Sequence, residues 1–368
     1  CLIFGYTIFI IIHNLYNNSY LSHCNNIMKY FILIIVLIIF SKNVNSNNLF
    51  DSPFYKIDFT SNNIDNDKII EIRKIKFKSI LSILKNTLNN DDYIKVSKDI
   101  SEDLINTFIK NIVINDEKII NDRYLSKIKI NYNKKKIIEY FRFNKISYVE
   151  YHPNKFLLII HEIGQINNNL FSKNNNYYKY LIKNANKNKF FQIPNLDIND
   201  RYILKEEDII NRDISKINKF TKKYNSNENI IVITKNNKNN MNYTLILYSH
   251  EKILEKKLSL NNNETDLFFK ELEIETLNLW KQMNQIQNKS TNSFKCKVDY
   301  FNLLELKEIR KNLSKVSLID NLNVKILSYK NIEYDMHYFG NIKILFKIFE
   351  LKKLKINFND DECIIKLI

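Results

Sequence analysis

The 368-residue chain is 45% hydrophobic and 13% aromatic, enough to bury two or three cores and too apolar for intrinsic disorder. It carries 56 basic against 40 acidic residues, a net charge of +16, which suits phospholipid head groups, nucleic acid or an acidic protein, although lysine accumulated from A/T-rich codons on solvated faces is the favoured account of it. Only 3 Gly and 3 Pro are present, which disfavours the glycine-dependent phosphate and nucleophile loops of many enzymes.

The segment from residue 1 to 27 reads as an upstream extension. At Met28 an export signal begins: Lys29 is the positive n-region, Tyr30 to Phe40 is the apolar h-region, and Val44-Asn45-Ser46 precedes the expected cut. The apolar run is shorter than the roughly 20 residues that span a bilayer as a helix, so cleavage is expected after Ser46, with an uncleaved membrane anchor as the alternative. The mature chain is expected to fold as α+β/α/β, in three small sheet-and-helix domains over residues 47–150, 151–290 and 291–368.

In the first domain a strand at Phe54 to Phe59 precedes a helix from Lys68 to Leu88, with Ile69, Ile72, Ile80, Ile83 and Leu84 on its buried face. Asp65 or Asp67 is its expected cap. A second helix follows Ser101, then strands at Lys110 to Ile114 and Tyr124 to Tyr132, and a helix at Lys134 to Phe143. His152-Pro153-Asn154 is the expected linker. The middle domain opens with Lys155 to Ile163, whose continuous apolar run predicts a central strand. A helix near Tyr177 leads to Phe190 to Lys235, which holds an acidic turn (Pro194, Asp197, Asp200), a helix and a strand at Ile230 to Ile233. A hairpin through His250 and a long helix from Glu264 to Gln287 complete it. The third domain reads as a βαββαβ unit with one extra hairpin strand, which predicts a ferredoxin-like sheet. If Leu354 to Phe358 lies beside the first strand, Cys296 and Cys363 sit roughly 9 to 10 Å apart, beyond disulfide reach. Free thiols are therefore expected.

From Tyr55 to Leu367 the order of elements resembles an uncharacterised family of exported proteins from Gram-negative bacteria, domain-of-unknown-function family 2066. The landmarks are Ser79 to Leu88, Arg123-Tyr124, the Pro194/Asp197/Asp200 turn, Asn225 to Ile233, Trp280-Lys281 and Tyr338-Phe339-Gly340. Glycines usual in such proteins are absent where Asn144 and Asn195 stand, which implies altered turns. The middle domain is also similar to the amino-terminal domain of the Tol-system translocation protein. The first resemblance implies a periplasmic protein and brings no known activity; the second is a likeness of fold.

Chemistry is sparse. His161-Glu162 lacks the second His of a zinc-protease helix, and His152, His250 and His337 have no shared metal spacing. No cofactor or metal site and no catalytic set is expected, and the Pro194, Asp197, Asp200 turn is the one candidate functional turn. The favoured reading is a non-enzymatic binding or assembly module of the cell envelope, partnered by an envelope protein or anionic surface and not by nucleic acid. The rival is an envelope hydrolase built on His161, Asp197 and Asp200.

Overall fold

The computed structural model describes residues 49–163, 169–226, 228–236, 241–249, 252–261, 264–288, 291–359 and 362–368. The expected upstream extension, the export signal and His250 lie outside them. In chain order, β1 (Tyr55–Thr60) leads to α1 (Ile64–Thr87), α2 (Asn90–Asp99), α3 (Glu102–Phe108), β2 (Ile109–Ile120), β3 (Arg123–Tyr132) and α4 (Lys134–Phe143). The strands form an antiparallel sheet in the order β1-β3-β2. Alternation along β3 puts Tyr124, Ile128, Ile130 and Tyr132 inside, where they meet the stripe of α1 that carries Ile80, Ile83 and Leu84. Two details correct the expectation. Asn63, not Asp65 or Asp67, caps α1 by accepting the Asn66 N–H at 3.2 Å, which leaves both acids in the first turn to meet the helix dipole. Ile69 is exposed, because the buried stripe starts only at Ile75.

The chain continues with β4 (Phe156–Ile163), β5 (Asn169–Leu170), α5 (Asn176–Lys183), β6 (Phe191–Gln192), α6 (Ile198–Ile203), α7 (Glu206–Ile210), α8 (Ile214–Lys223), β7 (Glu228–Asn236), β8 (Met241–Ser249), β9 (Lys252–Leu260) and α9 (Thr265–Asn284). This second sheet runs β5-β4-β7-β8-β9, with β6 also on β4. β4 is parallel to β7, and β7, β8 and β9 are antiparallel. Phe156 to Ile160 are all fully buried, as a strand covered on both faces requires.

The last sheet is made by β10 (Thr291–Asp299), β11 (Ile319–Ser328), β12 (Asn331–Phe339), β13 (Leu354–Asn359) and β14 (Glu362–Leu367), with helices α10 (Leu303–Leu313) and α11 (Ile342–Leu351). Its order, β11-β12-β10-β14-β13, differs from the expected one at the end. β13, with Lys355 and Asn357 alternating with its apolar residues, takes the edge, where polar side chains block further pairing. β14, with buried Cys363 and Ile365, takes the inner place and runs parallel to β10 through the pairs Lys297 with Ile364 and Val298 with Ile365. The expectation of free thiols is thereby overturned: Cys296 and Cys363 are adjacent, with Cα atoms 4.5 Å apart, and form a disulfide. The architecture is mixed α and β with three sheets, each drawn from a contiguous run of sequence.

Candidate functional site

The acidic turn is a lock for the backbone. Asp197 caps α6, its carboxylate accepting the Asp200 N–H at 2.9 Å, and that bond above all holds its pKa below the usual range. Asp200 is fully buried. It accepts the Leu196 N–H at 2.9 Å, the Lys223 ammonium at 2.7 Å and the Tyr224 hydroxyl at 2.6 Å. The Tyr224 oxygen in turn accepts the Asn195 N–H at 2.9 Å, and burial first of all pushes its phenol up to about 12. A carboxylate so occupied pins α8 to the turn and holds Leu196 at φ 58°. Pro194 is buried beside it.

His161 is also fully buried, but its Nε2 pairs with Glu206 on α7. The two sets thus have different partners: Glu206 for His161, and Lys223 and Tyr224 for the acidic turn. His152 has its pKa lowered by burial and by the nearby Lys281, and His337 lies 3.9 Å from Asp335. Among the described residues no group of three His, Cys, Asp or Glu is placed to hold a metal ion.

A different part of the molecule gathers chemistry. A cleft of about 470 Å³ is bordered by the start of β7, the β8–β9 ends, the end of α9 and the outward side of α11. At it stands Glu228, the first residue of β7, paired across the ladder with Ser249. Its Oε1 accepts the indole N–H of Trp280 at 2.8 Å, while Oε2 is buried with no hydrogen-bond partner. Burial raises the Glu228 pKa, and the Trp280 hydrogen bond, the Lys347 charge and the Asn154 backbone oppose that rise. Tyr151 stacks edge-on against Trp280 at 5.2 Å between ring centroids and donates its hydroxyl to Asn284 Oδ1 at 2.7 Å. Asn284 is held by its own bond to the Trp280 carbonyl. Lys252, Lys343 and Lys347 line the same cleft, with Glu350 3.6 Å from Lys347.

A raised carboxyl, an aromatic wall and three lysines around a concave space form an arrangement suited to an anionic ligand with a hydrogen-bonding group. Reading the sequence missed it, because Glu228, Trp280 and Lys347 lie on three elements separated by more than fifty residues each. The one signal was the single tryptophan of the chain, followed directly by Lys281. That lysine turns to the other side, donating to the carbonyls of Lys85 in the last turn of α1 and of Leu88 just past it, and burial lowers its pKa to about 8.

No protein-family model and no curated protein matches the chain.

Proposed function

We propose that the chain is a non-enzymatic binding or assembly module of the Gram-negative cell envelope, exported to the periplasm, and that the cleft at Glu228 is where it takes its ligand. The observation that carries this reading is the concentration of lysines and one buried carboxyl around a space of 470 Å³, a recognition geometry for a small anion or an acidic segment of an envelope protein. The Cys296–Cys363 disulfide supports an oxidising compartment. The likeness to domain-of-unknown-function family 2066 and to the Tol-system module belongs to the same proposal. So does a ferredoxin-like ancestry for the last sheet, in which an added strand takes the place beside β10.

In-vivo crosslinking of a tagged chain, followed by fractionation and mass spectrometry, tests it. A reproducible envelope partner lost in Lys347→Glu is the expected result. Recovery of the same partners with Lys347→Glu as with wild type removes the cleft from the reading. The rival, an envelope hydrolase, is tested by joint substitution of His161, Asp197 and Asp200. It requires loss of the cellular phenotype with those substitutions in a protein that still folds.

A further inference from the structure

One end of the carboxyl-terminal sheet is unusually apolar. Phe301, Leu303 and Leu304 follow β10, and Leu327 and Tyr329 lie at the β11–β12 turn; all five are between 70% and 89% exposed. The two segments are neighbours, because the Tyr300 N–H donates to the Lys330 carbonyl at 3.0 Å and the Tyr300 hydroxyl to that of Ser328 at 3.4 Å. Scattered exposed leucines need no explanation, whereas a gathered set of this kind marks a contact surface.

The charge around that end has one predominant sign. Leu304 borders a groove of about 590 Å³ with Lys307, Lys311, Lys315, Lys352 and Lys353, opposed there by Glu308. Lys330 sits over the Tyr329 ring at 5.6 Å. Of the neighbouring acids, Asp299 pairs with Lys366 at 3.5 Å, while Glu305 accepts the Phe301 N–H at 2.7 Å and keeps its charge, so five lysines stand against Glu305 and Glu308. An apolar tip flanked by lysines repels its own copy, since a symmetric dimer through it brings like charges together. It complements a surface that is apolar within and negative at its face, as a bilayer with anionic head groups is.

We propose that this end of the last sheet docks peripherally on an anionic phospholipid bilayer, with Phe301, Leu303, Leu304, Leu327 and Tyr329 entering the head-group region and the α10 lysines meeting phosphate. The inference extends the envelope reading and does not use the cleft. No helix of the described residues is long and apolar enough to cross a membrane.

The test is co-sedimentation of the full chain with vesicles of phosphatidylethanolamine and phosphatidylglycerol, against vesicles of phosphatidylcholine, at low and high salt. Wild type binds the anionic vesicles in a salt-sensitive way. Lys307→Gln with Lys311→Gln lowers partitioning by about thirtyfold, at about fivefold per lysine, and Phe301→Ser with Leu304→Ser lowers it comparably. Unchanged circular dichroism and Trp280 emission show that the variants fold. In Phe301→Trp, brominated lipid quenches the new indole while Trp280, 1% exposed, is spared. Equal binding of both vesicle types, or binding indifferent to all these substitutions, overturns the proposal and points elsewhere in the chain. An absence of vesicle binding together with a dimer that the Phe301→Ser, Leu304→Ser variant abolishes overturns it in favour of a second copy. Lys347→Glu leaves vesicle binding unchanged, so failure of the cleft and failure of the tip are separable.

Discussion

Among the described residues most of the left-handed backbone is met without glycine. Nine of the described residues other than Gly have positive φ, among them Lys145 at 55° and Leu196 at 58°, each directly after an asparagine. Lys145 ends α4: its N–H reaches the Arg142 carbonyl at 3.0 Å and the Ile146 N–H reaches that of Phe141 at 2.8 Å, the paired bonds of a helix stop that usually places Gly there. Lys145→Gly is therefore expected to stabilise the fold by up to about 1 kcal/mol, read as a rise in the denaturation midpoint. Gly340, at φ 78°, is the converse case; a Cβ there meets Ile286 Cγ2 at 3.2 Å, so alanine is strained twice over. Glu228 makes a prediction about pH. Its folded-state pKa is raised, so the folded protein keeps a proton that the unfolded chain has released, and stability falls as pH rises from the ordinary glutamate range through the folded value. Glu228→Gln removes that slope and is at least as stable as wild type at neutral pH. Denaturant titrations at pH 5 and pH 8 check it, and an unchanged slope in the variant contradicts the assignment.

At the scale of elements, the disulfide is the clearest test. It fastens β14 to β10 across a sequence separation of 67 residues, and closing a loop of that size is worth about 4 kcal/mol in the chain-entropy account. Cys296→Ala with Cys363→Ala is expected to lower stability by roughly 2 to 4 kcal/mol. Reduction of wild type should do the same, and should leave the double variant unaffected. Much of the secondary structure was readable beforehand. The α4 bounds, the buried β4 run and the β3 alternation all follow from local periodicity. α2 escaped because Asn90 to Asp99 has a weak apolar stripe, with Val96 its one buried residue. Leu267 and Ile274 of α9 are exposed, because the buried stripe of that helix runs through Phe268, Leu272, Thr276 and Leu279 on another face.

For the whole molecule, the segment from Ile146 to Tyr151 is the join. Tyr148 and Ile286 exchange backbone bonds, the Val149 N–H donates to the Thr87 carbonyl at 2.8 Å, and Asn288 donates to the Ile146 carbonyl at 2.8 Å. Glu150 accepts from both Lys134 and Ser317. Arg142 donates to the Ser317 carbonyl and lies 4.1 Å from the Phe339 ring centroid. The first and last sheets are thus tied through α4 by buried, charge-assisted contacts. Arg142→Ala is expected to cost about 2 to 3 kcal/mol. Calorimetry should show one transition in wild type and a broadened or divided one in the variant; a sharp single transition in both argues that the join is not what couples the sheets.

The readable part of this protein is what depends on near neighbours in the chain: apolar period, caps such as Ser101, the turn at Tyr329-Lys330, and the lack of glycine for glycine-built loops. Strand order is of another kind, because β13 and β14 have similar lengths and apolar content, and which one lies beside β10 depends on how a whole edge is covered. The disulfide follows from that choice, and so was misjudged from spacing. The Glu228 cleft and the apolar tip depend on the same long-range packing. Glu228 is an ordinary acid at a strand start until Trp280 and α11 enclose it, and Leu303 and Leu304 are two more leucines of α10 until Leu306, Ile309, Asn312 and Leu313 are found to make its buried face.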